Sequence, residues 1–414
     1  MGKKLKIGFV GPYSTANFGD WGMLLNNMYD LECEDFVIFT YSSKFPQISL
    51  DDYCSEFNTE YVEVKLKEER DNNQEQQEKY FSTPYDVLMR VENLNELKKA
   101  IKKIDVLVIS GGGWINHFWT ERLEKLYKIM APILVARQQE KKVVFTANGI
   151  GPFDETKEFY RYFFGYIKGA KIAIRDNYCS LSHLMEAGIE SKDVDYLPDD
   201  MYLVNPTIVN KELHREIQQK NYIVMETFYP MELLRDNEQE LINFSKKIYE
   251  KYGYSIVLLP YDLVEYGSDQ AKYLHKIMEQ TEIYNIDEIG YLPIQDAISI
   301  IKNAKLMITA RYHGLVLSLS VETPVIFRLY DKRGDFRYTY NKGMGMLRTA
   351  FEGIEFCETD FLQKDLINIL NIIESNVQNV INKQKKLYSS KRYVENKANL
   401  KAIRTKYLKE VLGD

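Results

Sequence analysis

Short apolar runs alternate with amphipathic stretches twice along this chain, and the two series are separated by a break at Asn205-Pro206. In the first series, residues 7–10, 37–41, 105–109, 143–146 and 172–174 read as strands. Residues 95–103, 121–139 and 158–168 read as helices between them. The second series restarts with strands at 222–225, 255–259 and 306–308, and helices at 237–251, 270–280 and 294–303. Apolar runs without polar alternation suit strands covered on both faces, and intervening helices supply the cover. The chain of 414 residues also exceeds one ordinary hydrophobic core.

The expected fold class is therefore α/β, with two Rossmann-like domains facing a cleft in a GT-B-like arrangement and a helical C-terminal tail. The expected domains are 1–205, 206–350 and a tail over 351–414 that reads as helices only from about 358. A charged, Gln-rich stretch at 67–79 reads as a loop or an exposed helix.

Charge and cysteine usage narrow the class. A net charge of -6 gives no global attraction for nucleic acid. Cys33, Cys54, Cys179 and Cys357 stand far apart, with no CxxC or zinc spacing, as in a reduced cytosolic protein. The N-terminus runs straight into a strand with no signal-peptide pattern, and no apolar run is long enough to span a bilayer. The expected location is cytoplasmic. The basic segment 383–409 is expected either to pack back as a solvated helix or to touch anionic headgroups at the inner membrane face.

Polar and glycine-rich turns follow the strands, where open α/β sheets bind ligands. Thr309-Ala310-Arg311-Tyr312-His313-Gly314 follows the 306–308 strand. Its guanidinium and imidazole, two residues apart, suit an anionic substrate and a proton transfer. Arg175 follows the 172–174 strand and can hold a carboxylate or phosphate, or pair with a nearby acid such as Asp176. Asn17-Phe18-Gly19-Asp20 opens a helix after the first strand. Ser110-Gly111-Gly112-Gly113-Trp114-Ile115-Asn116 and Asn148-Gly149 follow two others. Trp114 and Trp119 can stack on a sugar face, or the glycines form a strained turn capped by a core Trp. Asp199-Asp200 reads as helix capping. His117 is the rival to His313, whereas His183, His214 and His275 lie in helical, mostly exposed contexts. No histidine pair has ligand spacing, so no metal is expected.

In this order, Asn17-Phe18-Gly19-Asp20, Ser110 to Gly113, Gly149-Ile150-Gly151-Pro152, Ile174-Arg175-Asp176, Pro198-Asp199, Arg311-Tyr312-His313-Gly314, Pro324 and Tyr330-Asp331-Lys332 resemble the polysaccharide pyruvyl transferase family. The resemblance covers about residues 5–345. It implies a GT-B-like fold and transfer of the enolpyruvyl unit of phosphoenolpyruvate onto two sugar hydroxyls of a cell-surface glycan, or of a lipid-linked precursor, forming a pyruvate ketal. Phosphoenolpyruvate is then a donor substrate, and no cofactor is implied.

The family's Arg-Leu-His motif matches Arg311-Tyr312-His313, with Tyr in place of Leu. The implied roles are His313 as general acid/base and Arg311, Arg175 and Lys332 as donor clamps. Asn17, Asp20, Gly111, Gly112, Gly113, Trp114, Asn116 and Asn148 would line the acceptor side. The 222–225 strand runs into Glu226 and lacks the Arg that many relatives show there. Two other readings share the fold: a glycosyltransferase with a nucleotide-sugar donor, and a non-catalytic glycan-binding protein.

Overall fold

The computed structural model describes residues 5–13, 17–42, 57–67, 84–209, 221–227, 229–261, 267–332 and 334–413. Cys54 and nearly all of the 67–79 segment lie outside them. The chain divides into two compact units. One comprises 1–14, 23–200 and 402–414; the other comprises 15–22 and 201–401. Residues 351–414, expected as a separate tail, are thus shared between the units.

The first unit holds strands β1 (Lys6–Val10), β2 (Asp35–Thr40), β3 (Asn58–Glu63), β4 (Val106–Ile109), β5 (Gly112–Ile115), β6 (Lys142–Phe145), β7 (Asn148–Ile150), β8 (Ile172–Ile174) and β9 (Val194–Tyr196). They form a parallel sheet in the order β3-β2-β1-β4-β6 and a smaller parallel one in the order β5-β7-β8-β9. Helix Leu94–Lys103 shows why the pattern was readable: it buries Leu97, Ala100 and Ile101, one stripe at helical spacing, and exposes its lysines.

The second unit holds β10 (Tyr222–Glu226), β11 (Ser255–Leu259), β12 (Thr281–Ile283), β13 (Met307–Thr309), β14 (Val325–Arg328) and β15 (Leu362–Gln363). They form one parallel sheet in the order β12-β11-β10-β13-β14-β15. Helix Leu366–Tyr388 buries Leu366, Ile369, Leu370, Ile373, Val377, Val380 and Ile381 in the core beneath it. Both units are Rossmann-like, as the alternation requires.

One expectation about the tail changes. It is not helical throughout, because β15 lies within it and adds to the sheet beside β14, with Phe327 opposite Leu362. A two-residue strand is too short to leave a periodicity. The last helix, Lys391–Leu412, packs back, the first of the two readings of the basic segment. It buries Tyr393, Leu400, Arg404, Tyr407, Leu408 and Val411 along one stripe. Tyr407 donates to the Phe145 carbonyl, and Lys171 pairs with Glu410. Among the described residues no helix is long and apolar enough to cross a membrane.

Candidate functional site

All strands of the second unit's sheet run the same way, so Glu226, Tyr261, Arg311 and Arg328 fall at or just past one edge. At the end of β13 the chain turns sharply into helix Tyr312–Ser320. Thr309 builds that turn. Its buried hydroxyl accepts the Arg311 N–H at 3.0 Å and lies 3.1 Å from the Arg311 carbonyl. Arg311 is the extended residue before the helix, with φ -93 and ψ 133. Its carbonyl accepts the Gly314 N–H at 3.0 Å, closing the first turn. Arg311 and His313 are both half-buried, and within them Arg311 Nε and His313 Nε2 are buried atoms.

The imidazole rests on Gly19. A Cβ at residue 19 would lie 1.8 Å from His313 Nδ1, so only glycine leaves room for the ring. Asn17 caps the helix Phe18–Asp30 that carries Gly19: its Oδ1 accepts the Gly19 N–H at 3.1 Å. The Asn17-to-Asp20 motif, read from sequence as an acceptor loop, is therefore the wall that seats His313. Asp20 lies in the first turn of that helix and is half-buried.

Glu226 is the site residue whose role the sequence did not reveal. It ends β10, is 1% exposed, and its Oε2 accepts the Ala310 N–H at 3.1 Å and faces the Thr309 hydroxyl at 3.3 Å. Burial pushes its carboxyl up to about 7, against the opposing pull of the Arg311 charge and these hydrogen bonds. Its other oxygen, Oε1, is buried and has no hydrogen-bond partner among the described residues, as is true of the Tyr229 and Tyr261 hydroxyls. Arg328 lies over the Tyr229 ring, 5.4 Å from its centroid. The signal in the sequence was only a lone acid ending an apolar strand.

Lys332 follows β14 and is half-buried, its ammonium 4.7 Å from the Tyr338 ring centroid. It remains on the same unit as Arg311 and His313.

The other expected residues belong to the first unit, and most are committed to its interior. Arg175 is 3% exposed and pairs with the fully buried Asp199 at 3.1 Å. Its charge therefore has a framework partner. Asp176 does not pair with it but ties down the start of helix Ser180–Glu186, accepting the Cys179 N–H at 3.0 Å, the Ser180 N–H at 3.2 Å and the Ser180 hydroxyl at 2.6 Å. Trp114 is 0% exposed and packs edge-on against Phe163, so its ring is core and offers no stacking face. Trp119 is half-buried and packs against the same core. Asn116 and Asn148 are buried, donating to the Gly113 carbonyl at 2.6 Å and the Thr146 carbonyl at 3.1 Å. His117 faces the Pro152 carbonyl at 3.0 Å.

The glycine loop is pinned from beneath. Asp200 Oδ2 accepts the Gly111 N–H at 2.8 Å and the Thr146 hydroxyl at 2.6 Å, and its Oδ1 receives Arg404 at 2.7 Å. A Cβ at Gly111 would sit 2.8 Å from both Asp200 Oδ2 and the Ala147 carbonyl, which explains the glycine. Gly112 and Gly113 lie in β5, and Gly113 is half-buried. The acidic pair Asp199-Asp200 is thus not a helix cap but two buried counter-charges, one for Arg175 and one for Arg404.

Known proteins extend the picture. The model of the family described as polysaccharide pyruvyl transferase matches residues 34–332. No curated protein sequence matches significantly. Among solved structures, the chain is similar to UDP-GlcNAc 2-epimerase from Neisseria meningitidis bound to UDP-GlcNAc, with 12% identity, a TM-score of 0.58 and 99% of each chain covered. It is similar to HepE of Anabaena in complex with UDP-glucose, with 13% identity, a TM-score of 0.55 and 99% of each chain covered. It is also similar to S. aureus MnaA in its UDP co-structure, with 12% identity, a TM-score of 0.57, and 94% and 92% of the two chains covered. At such identities the likeness is one of fold, and that fold is GT-B-like.

Proposed function

The chain belongs to the polysaccharide pyruvyl transferase family, and from that premise we propose that it transfers the enolpyruvyl unit of phosphoenolpyruvate onto two hydroxyls of a glycan, or of a saccharide precursor, as a ketal. The observation that carries the reading is the Arg311–His313 turn at the carboxyl edge of the second unit's sheet, with the imidazole seated on Gly19.

The chemistry suits these groups. The donor is an anion at both its carboxylate and its phosphate, and a guanidinium fork matches either. Reaction needs a proton placed on the methylene carbon, attack of one hydroxyl on the neighbouring carbon, departure of phosphate, and closure by the second hydroxyl. Of the two hydroxyl protons, one balances the new methyl group and the other leaves on phosphate. An imidazole titrating near neutrality can give the first and take the second. Fixed positive charge at the departing phosphate supplies electrostatic stabilisation. We assign His313 as acid/base and Arg311 as the principal donor clamp, with Lys332 as a second cation. Arg175 is a weaker candidate than the sequence suggested, because Asp199 already holds it. We expect activity to survive a chelator.

The test is incubation with phosphoenolpyruvate and saccharide precursors, with mass spectrometry for a pyruvyl increment. We expect the increment from the native protein, its loss in His313→Ala, and a larger rise in donor KM than in acceptor KM for Arg311→Lys. Turnover of nucleotide sugars with no response to phosphoenolpyruvate would replace this reading by a glycosyltransferase.

A further inference from the structure

Glu226 is a buried acid with a half-used carboxyl group. One oxygen holds the Ala310 N–H and faces the Thr309 hydroxyl, and thereby the turn that presents Arg311 and begins the His313 helix. The other oxygen is buried without a hydrogen-bond partner among the described residues. Such an atom is costly as a charge and inexpensive as a protonated hydroxyl. The Arg311 charge from the β13 turn bears on the same carboxyl, and the Glu226 charge in turn raises Tyr229 after β10 and Tyr261 after β11; Arg328 at the end of β14 lies over the Tyr229 ring. A negative Glu226 neutralises part of the field that Arg311 offers. An incoming anion and an ionised Glu226 then compete for one guanidinium.

We propose that Glu226 is a positioning residue that sets the working charge of Arg311, so that binding of an anionic donor is coupled to uptake of a solvent proton by the Glu226 carboxyl. This rests on the proposed function only in taking Arg311 as the anion clamp. No bond other than the carboxyl O–H forms, and the proton comes from the buffer. The physical basis is linkage: a bound anion raises the cost of a nearby carboxylate, so a neutral acid becomes the favoured form once the anion is in place.

The test uses the full chain and two probes, sulfate and phosphoenolpyruvate. Sulfate does not titrate near neutrality, so any proton it brings in lands on the protein. Calorimetry at pH 7.5 in two buffers of different ionisation enthalpy counts the protons. For the native protein we expect uptake of roughly half a proton or more per sulfate, and for Glu226→Gln a clear drop in that number. Gln keeps the acceptor for Ala310, so a merely structural role would leave the count unchanged. Equal uptake by both proteins overturns the proposal, and so does failure of sulfate to bind the native protein.

Should Glu226→Gln not fold, the infrared difference spectrum of the native protein decides. A protonated-carboxyl stretch gained with sulfate supports the coupling, and its absence rejects it. Coupling seen with sulfate but no binding of phosphoenolpyruvate would sink the donor assignment and leave this inference standing. Turnover of phosphoenolpyruvate with no Glu226-dependent uptake would do the reverse.

Discussion

The two units treat the same feature, an arginine just after a short strand, in opposite ways. In the first unit Arg175 is 3% exposed and locked to Asp199. In the second, Arg311 is half-buried, stands at a helix start, and has His313 two residues on. The first arrangement buries the guanidinium against a carboxylate, which offsets part of its charge before any ligand arrives. The second keeps charge at the surface of a site, tempered by a carboxyl that carries other bonds. An arginine's position along a strand therefore says less about its work than its burial and its ion pairing.

Deleting residues 402–414 should have the largest effect on this contrast. It removes Arg404 from half-buried Asp30 and fully buried Asp200, together with Tyr407, Leu408 and Val411. Stranding the buried Asp200 carboxylate alone costs about 3–5 kcal/mol. We expect cooperative unfolding of the first unit at a much lower temperature, read by calorimetry, with no change in the membrane-bound fraction. A deletion that lowers membrane association and leaves melting untouched would restore the lipid-docking reading of the tail.

The next is a paired comparison. Arg175→Ala should cost about 3–5 kcal/mol in denaturant unfolding, because it breaks the buried Arg175–Asp199 ion pair. Arg311→Ala should cost about 1 kcal/mol or less and remove donor binding. Similar stability losses for the two would erase the distinction drawn between the units.

The third effect is read against pH. Glu226 has its carboxyl raised from 4.5 to about 7 in the folded protein, so the native state holds a proton that the unfolded chain has released. The stability this gives is complete below about pH 4.5, falls as the pH climbs to about 7, and stays lost above that. Glu226→Gln does not titrate and should gain on the native protein across that window. Melting curves at pH 5, 6, 7 and 8 check it; parallel pH profiles would mean that the carboxyl is ordinary.

Much of this was legible. Helix Ile294–Asn303 and strand Ser255–Leu259 fall where the pattern put them, because burial of one stripe or of a whole run is written in adjacent residues. Arg311 and His313 stood out because a short turn after an apolar run leaves little else for them to do. β5 and β7 were missed because Gly112-Gly113 and Asn148-Gly149 read as loop, and β15 because two residues carry no period. Trp114 was misread because an aromatic beside glycines looks the same whether it faces a sugar or Phe163.

By itself the sequence determined the α/β alternation, its restart after Asn205-Pro206, and the chemical character of the 309–314 turn, since each depends on neighbours within a few residues. Only the tertiary structure decided that Gly19 backs His313, that Asp199 absorbs Arg175, that Asp200 meets Arg404, and that Glu226 grips Ala310, 84 positions away. Those pairings are set by which strand ends lie side by side once the sheets assemble. No local periodicity encodes that order, because each side chain has the same sequence neighbours whichever partner the fold brings to it.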